Sequence, residues 1–380
     1  DAITTGDDES FLRFIREAYP TSKLSTAEWL DLRPNLRGLE YHAVAEADAT
    51  KASLSAYDAQ RENWVLLQVS VEAEAPHAIT SFGVRMGRRP RDVPGPAKLQ
   101  PAELVAATQA KVEAMAAADS FAGALLIAKD GRPLLDAAYG LADRDARRPN
   151  TVETQFRFGS MGKMFTAVAI MQLAQAGKLD LTAPIGRYLK DYPNPEIATQ
   201  VTTDMLLTHT GGTGDIFGPE FEAHRQTLRD GKDYVALYGA RAPLFRPWSR
   251  VAYSNYGFIL MGRIVEEVSG LSYDEYLQRN VFAPAHMAAT GNQPETVRLP
   301  RRAVSYMRDK NELTSAAATL PYRGTAAGGG YSTTGDLLRF ANALMANRLL
   351  DAEHTRLLTE VGVTGPNGTL FRYDLDGVTA

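Results

Sequence analysis

The chain contains no cysteine. Disulfides, thiol chemistry and cysteine-ligated zinc are therefore excluded. Histidine is scarce, with six in 380 residues. None forms a His-Glu-x-x-His pattern and no close pair has ligand spacing, so a metal-dependent reaction has little support and no cofactor is expected. No apolar run reaches membrane-spanning length, so no membrane span is expected. An excess of one charge is lacking too. The formal net charge is −4, and the one basic tract, Arg88-Arg89-Pro90-Arg91, lies in a proline-rich stretch and reads as solvated linker. A nucleic-acid partner is not expected. The chain begins at Asp1, which leads us to expect either a removed targeting segment or a trimmed terminus.

What is present is an ordinary globular composition, 44% apolar and 23% charged, in a chain long enough for two domains. The clearest seam is Met86 to Pro101, whose prolines and basic residues suit neither a packed helix nor a central strand. We read 1–86 as a small accessory domain, 87–100 as a linker and 101–380 as a second domain. In the first, Phe11, Leu12, Ile15 and Ala18 have helical spacing within Glu9–Tyr19. Thr26–Leu32 reads as a second helix capped by Ser25 or Thr26. Leu39–Ala45, Lys51–Ala59, Asn63–Val71 and His77–Val84 read as strands. The order suggests an α+β domain with helices on one face of an antiparallel sheet, similar in outline to the nuclear-transport-factor-2-like type. His42 and His77 are read as structural. The second domain opens with a helix over Ala102–Ala118. A hairpin, Phe121–Lys129 and Arg132–Tyr139, follows around Asp130-Gly131. From about 155 to 280 the chain reads as helical and loop-rich. Thr333-x-x-Asp336 reads as a capping box before the helix Leu337–Met345.

Two segments carry chemistry. From Met164 to Ala176 the chain is apolar almost all round, which implies a buried helix, and Gly177 suits its C-terminal cap. Ser160 and Lys163 fall in the expected first turn, three residues apart and on one face. Burial lowers a lysine pKa, and a neutral amine beside a hydroxyl is a general base beside a nucleophile. Ser-x-x-Lys alone is cheap, arising about once by chance in a chain of this length. The apolar helix behind it gives it weight. The second segment is Tyr253-Ser254-Asn255, again a polar triplet opening an apolar helix. Its plain reading is a helix cap by Ser254 or Asn255, and its functional reading is a second cleft wall.

FRFGSMGK, LLTHTGG, YSNYGFILMGRIVEEVSG and AAGGGYSTTGDLLRF follow in that order. Together they closely resemble the serine β-lactamase and penicillin-binding-protein superfamily, in its class C and esterase branch, over roughly 101–380. The resemblance implies an α+β fold with an antiparallel sheet flanked by helices, a helical subdomain and a cleft between. It implies a serine hydrolase in which Ser160 attacks a carbonyl, Lys163 activates it, Tyr253 shares the base role and protonates the leaving group, and Asn255 contacts substrate or orients Lys163. For Tyr253 to act as a base, a nearby cation must lower its pKa from about 10. Which of Lys163 and Tyr253 takes the first proton stays open. His209 in LLTHTGG is read as structural, and Gly211 stands where the family often has serine. Gly328-Gly329-Gly330 corresponds to a tight backbone turn.

The third motif of that superfamily, Lys-Thr-Gly or His-x-Gly, is not found after Asp336. The last residues are FRYDLDGVTA, close to where its strand should begin. We therefore expect a chain incomplete at its C-terminus, or strands supplied by another chain, and half an oxyanion hole unaccounted for. The leading expectation is an esterase for short-chain esters that forms an acyl-enzyme at Ser160. The alternatives are a β-lactamase or D-alanyl peptidase, acting on a small amide, and a non-catalytic sensor of cell-wall fragments. Gly-x-Ser-x-Gly is absent, which argues against an α/β-hydrolase. A periplasmic or secreted location is expected, and the oligomeric state is open.

Overall fold

The computed structural model describes residues 6–95, 97–309, 312–359, 362–364 and 370–372. The chain divides into two compact units, Asp1–Lys98 and Leu99–Ala380, with the division inside the proline-rich stretch.

In the first unit, α1 (Asp8–Ala18) and α2 (Thr26–Leu32) precede strands β1 (Leu39–Ala47), β2 (Lys51–Asp58), β3 (Asn63–Val71) and β4 (Ile79–Met86). Asp7 caps α1 by accepting from the Ser10 N–H, and Ser25 and Glu28 cap α2 reciprocally. The strands form one antiparallel meander in the order β1-β2-β3-β4. Phe11 and Ile15 of α1 and Trp29 of α2 pack with Ala56, Val65 and Leu67 of the sheet. Val65 and Leu67 point inward because strand side chains alternate. Each fully buried large apolar side chain contributes roughly 1.5–3 kcal/mol. His42 pairs with Asp92 at 2.9 Å, and His77 Nδ1 lies 3.1 Å from the Glu72 carbonyl.

The second unit opens with α3 (Pro101–Ala117), which has Pro101 in its first turn and no buried residue. The hairpin β5 (Gly123–Lys129) and β6 (Arg132–Tyr139) turns through Asp130 and Gly131, both at positive φ (51° and 74°). That is the type I′ geometry which Asp-Gly favours. Short strands β7 (Leu141–Asp143) and β8 (Arg148–Pro149) lead to α4 (Lys163–Gln175). The helical part continues through α5 (Pro195–Gln200), α6 (Thr203–Leu207), α7 (Pro219–His224), α8 (Gly231–Tyr238), α9 (Asn255–Ser269) and α10 (Tyr273–Leu277). Strands β9 (Tyr306–Asp309) and β10 (Glu312–Ser315), helices α11 (Thr334–Met345) and α12 (Ala352–Thr359), and strands β11 (Gly362–Thr364) and β12 (Leu370–Arg372) complete the order.

Helices α4 and α9 form the centre of this unit. Val168, Ala169, Ile170 and Met171 of α4 and Leu260, Met261, Ile264 and Val265 of α9 are fully buried. Phe165 meets Phe158, Phe282 and Phe340 edge-on, at centroid distances of 5.4, 5.2 and 4.9 Å. Helix α4 is thus buried over most of its surface, which anchors its N-terminal end in the core.

Two expectations change. Ser160 lies in a 3₁₀ turn, Gly159–Gly162, ahead of the α-helix that starts at Lys163. The capping box at the start of α11 is half formed. Thr333 accepts from the Asp336 N–H at 3.1 Å, but the Asp336 carboxylate accepts from the Ala289 N–H and Thr290 Oγ1 instead. Burial of Asp336 turns it inward, where those donors need an acceptor. Among the described residues β5–β6, β9–β10 and β11–β12 are separate two-stranded ladders and no closed sheet is present. Most of the stretch 371–380, where a further cleft strand was expected, lies outside the described residues. No described helix is long and apolar enough to cross a membrane.

Candidate active site

Ser160 is exposed, while Lys163, one turn on, is only 2% exposed. The 3₁₀ turn keeps the three-residue spacing on one face, and Lys163 Nζ lies 3.3 Å from Ser160 Oγ. On the other side, the Tyr253 hydroxyl donates to Ser160 Oγ at 2.8 Å. The lysine head is held by Asn255 Oδ1 at 2.7 Å and by the Ala327 carbonyl. It also faces the rings of Tyr253 and Phe258, 4.8 and 5.3 Å from their centroids. Ser160, Lys163, Tyr253 and Asn255, widely separated in sequence, thus meet at one point.

Burial pulls the Lys163 pKa down from 10.5 to about 8, against a smaller upward pull from the charge of Asp215. Tyr253 moves the opposite way. Partial burial raises its pKa, the hydrogen bond with Ser160 lowers it in part, and Asp215 adds to the rise. A base role for the phenol needs a cation to lower it, but desolvation is the largest influence here and only the Ser160 hydrogen bond opposes it. The phenol is therefore held as a proton donor.

Three further contributors surround these residues: the sequence read the first only as a tight backbone turn and the second as structural, and it did not single out the third. The first is the strap 324–330. Ala327 offers its carbonyl to Lys163, Gly329 N–H donates to the Gly159 carbonyl at 3.1 Å, and the Ala326 carbonyl accepts from Thr166 at 2.7 Å. A Cβ on Gly328, at φ 135°, would sit 2.3 Å from the Gly159 oxygen and 3.0 Å from the Ser160 nitrogen. Consecutive glycines were the available signal, and close backbone approach is their physical meaning. The second is His209. Its Nδ1 accepts from the Ser254 N–H at 3.0 Å, its carbonyl accepts from the Ala252 N–H at 3.0 Å, and its ring lies 4.5 Å from that of Tyr253. Burial, aided by the Lys163 charge, lowers its pKa from 6.5 to about 4, so the ring is neutral with its proton on Nε2. His209 takes φ 56°, an uncommon conformation for a non-glycine residue. The third is Asp215, which accepts from the Asn255 side-chain amide at 2.9 Å. No sequence spacing pointed to it. A side chain at Gly211 would press on Val201 Cγ1 at 3.0 Å, so the serine common in the family would need local adjustment.

No group of three or more metal-binding side chains is found among the described residues. A buried lysine next to an exposed serine, with a phenol on its far side, is an arrangement for nucleophilic attack with proton transfer in both directions.

Comparison with known proteins bears on the family and the fold. Residues 108–374 match the beta-lactamase family model. A putative penicillin-binding protein, PbpX, of Bacillus subtilis (strain 168) is 29% identical over 254 residues, covering 66% of this chain and 62% of that protein. The chain thus spans less than two thirds of that curated relative's length. A penicillin binding protein from Bacillus halodurans superposes with a TM-score of 0.60 at 34% identity, covering 66% of this chain and 79% of that one. A D-amino acid amidase from Ochrobactrum anthropi SV3, complexed with D-phenylalanine, gives 0.58 at 26% identity, over 71% of this chain and 82% of that one. With the family model spanning most of the second unit, the chain belongs to the beta-lactamase family.

Proposed function

We propose that the protein is a serine hydrolase that forms an acyl-enzyme at Ser160, with small carboxylic esters as its first substrate class. The observation that carries this reading is one oxygen, Ser160 Oγ, held between the Lys163 amine and the Tyr253 phenol.

Their opposite displacements divide the roles. Lys163, near 8, is the group that is neutral in appreciable fraction close to neutral pH. It takes the Ser160 proton as Oγ bonds to the substrate carbonyl carbon. The carbonyl becomes an oxyanion, and the Ser160 backbone N–H at the head of the turn is one donor to it. The C–O bond to the leaving group then breaks as Tyr253 delivers its proton to the departing oxygen. The Lys163 ammonium then returns a proton to the Tyr253 phenolate, which leaves the amine neutral for the second half. In the second half a water adds to the acyl carbon, the same groups carry its proton, and Ser160 leaves with its hydrogen restored.

A second reading is supported by the likeness to the D-amino acid amidase. The leaving group of an amide is an amine, which needs a proton more than an activated alkoxide does, and Tyr253 is the donor at hand. The test is intact mass and turnover with a p-nitrophenyl ester and, separately, D-phenylalanine amide, with Ser160→Ala as control. Turnover of the ester that vanishes in Ser160→Ala supports the first reading. Selective turnover of the amide supports the second. An adduct without turnover would favour a sensor, and no Ser160-dependent reaction with any acyl donor would sink the proposal.

A further inference from the structure

We infer that Asp215 is a positioning residue of this site: it sets the orientation of the Asn255 side-chain amide and so determines that an oxygen, not an NH₂ group, faces Lys163. This rests on the reading of Ser160 and Lys163 as nucleophile and base.

The argument is one of donors and acceptors. Asn255 presents two chemically opposite ends. Its Oδ1 lies 2.7 Å from Lys163 Nζ, and its Nδ2 lies 2.9 and 3.3 Å from the two Asp215 oxygens. Rotating the amide by half a turn would set NH₂ against the lysine amine and a carbonyl against a carboxylate. The second contact would be repulsive whatever the state of Lys163, the first only while the lysine is protonated, and the site is largely closed to water, with Asn255 7% exposed. Lys163 cannot impose the orientation alone, because a neutral amine can accept as well as donate. A carboxylate only accepts, so it allows one arrangement.

Asp215 is itself held. Its Oδ1 accepts from the Ile216 N–H at 2.7 Å and from the Asn255 N–H at 3.2 Å, and its carbonyl accepts from Arg241 at 2.9 Å. The loop 208–215 therefore serves both walls of the site, through His209 on the Tyr253 side and Asp215 on the Lys163 side.

The groups facing Lys163 are few. Ser160 belongs to its own segment, Asn255 and Phe258 come from α9, Tyr253 from the chain before α9, and Ala327 from the strap. Asp215 and His209 act from the 208–215 loop. His209 is neutral above about pH 4 and Tyr253 stays a phenol. Asp215 is thus the anion that Lys163 senses, and it opposes the downward effect of burial.

A merely structural alternative exists. Asp215 accepts from the first N–H of α9 and could serve only as a supplement to the Ser254 cap. Asp215→Asn separates the two roles, since it keeps an acceptor oxygen for that N–H but removes the charge and the strict acceptor character. The experiment uses the full chain labelled with lysine 13Cε, with the Lys163 signal assigned by its loss in Lys163→Ala. Titration should show a Lys163 midpoint near 8 in the parent. Asp215→Asn should move it down by roughly one unit and slow acylation of Ser160 by about tenfold or more at saturating pH. Asp215→Glu, which keeps the charge and displaces the carboxylate, should hold the midpoint and still slow acylation. An unmoved midpoint in Asp215→Asn, or parental acylation in Asp215→Glu, would overturn the inference. The titration needs no substrate, so a parent that shows the midpoint but never acylates would fail the functional reading instead.

Discussion

Gly328 lies against the backbone of Ser160 so closely that a methyl group on it would come within 3.0 Å of the Ser160 nitrogen. Ser160 is thus positioned from two sides, by its own turn and by the strap that also supplies the Ala327 carbonyl to Lys163.

Gly328→Ala should therefore act on chemistry and stability together. The same Cβ would stand 2.3 Å from the Gly159 oxygen, a contact that backbone cannot yield to cheaply. A loss of about 1–3 kcal/mol in denaturant midpoint analysis is expected. Ser160 labelling by an activated ester should fall by at least tenfold. Parental labelling with a parental midpoint would show that the strap tolerates displacement.

Lys163 should set the acid limb of the kcat/KM profile. Its pKa of about 8 in the folded protein means the base becomes available as pH rises through that value. Lys163→Ala should remove the limb and reduce acylation by about a thousandfold. Folding stability carries the same signature. The unfolded lysine keeps its proton to 10.5 and the folded one loses it near 8. Between those values the unfolded state binds more protons, so stability rises with pH, and Lys163→Ala should flatten that slope.

Tyr253→Phe should separate ring from hydroxyl. The ring keeps its place beside His209 and Lys163, so thermal melting should shift little. Loss of the donor to Ser160 should reduce turnover by roughly 10²–10⁴-fold. The reduction should be larger for an amide than for a p-nitrophenyl ester. Equal losses on both would argue that Tyr253 acts before the leaving group departs.

His209 should make the protein acid-sensitive. The folded state keeps it neutral down to about pH 4, while the unfolded chain protonates near 6.5. More protons bind to the unfolded state across that window, so stability present above 6.5 is lost as pH falls through it, by up to about 3 kcal/mol. His209→Gln keeps a polar acceptor near the Ser254 N–H and should flatten the slope between pH 4 and 6.5. Chemical denaturation of both proteins over that range is the check.

The accessory unit was legible in outline because its signals are local. Alternation in Asn63–Val71 and helical spacing in α1 report directly on which side chains face the core. Asp130-Gly131 specified its turn for the same reason, since few residues accept two positive φ angles in succession. Ser160 and Lys163 were also readable, because their spacing at the entry to an apolar helix is itself local. The carboxylate of Asp336 was misread because its partners, Ala289 and Thr290, come from a distant part of the chain.

By itself, then, the sequence determined the elements of the first unit, the hairpin, the candidate pair Ser160 and Lys163 and the absence of thiol chemistry, since each depends on residues near one another or on composition alone. Only the tertiary structure decided which distant groups complete the site. Asp215 behind Asn255, the Ala327 carbonyl on Lys163 and His209 against Tyr253 are contacts across the fold. Burial decided the opposite directions in which Lys163 and Tyr253 shift, because desolvation disfavours the charged form of each. No spacing along a chain encodes how much water a side chain retains once the chain has folded.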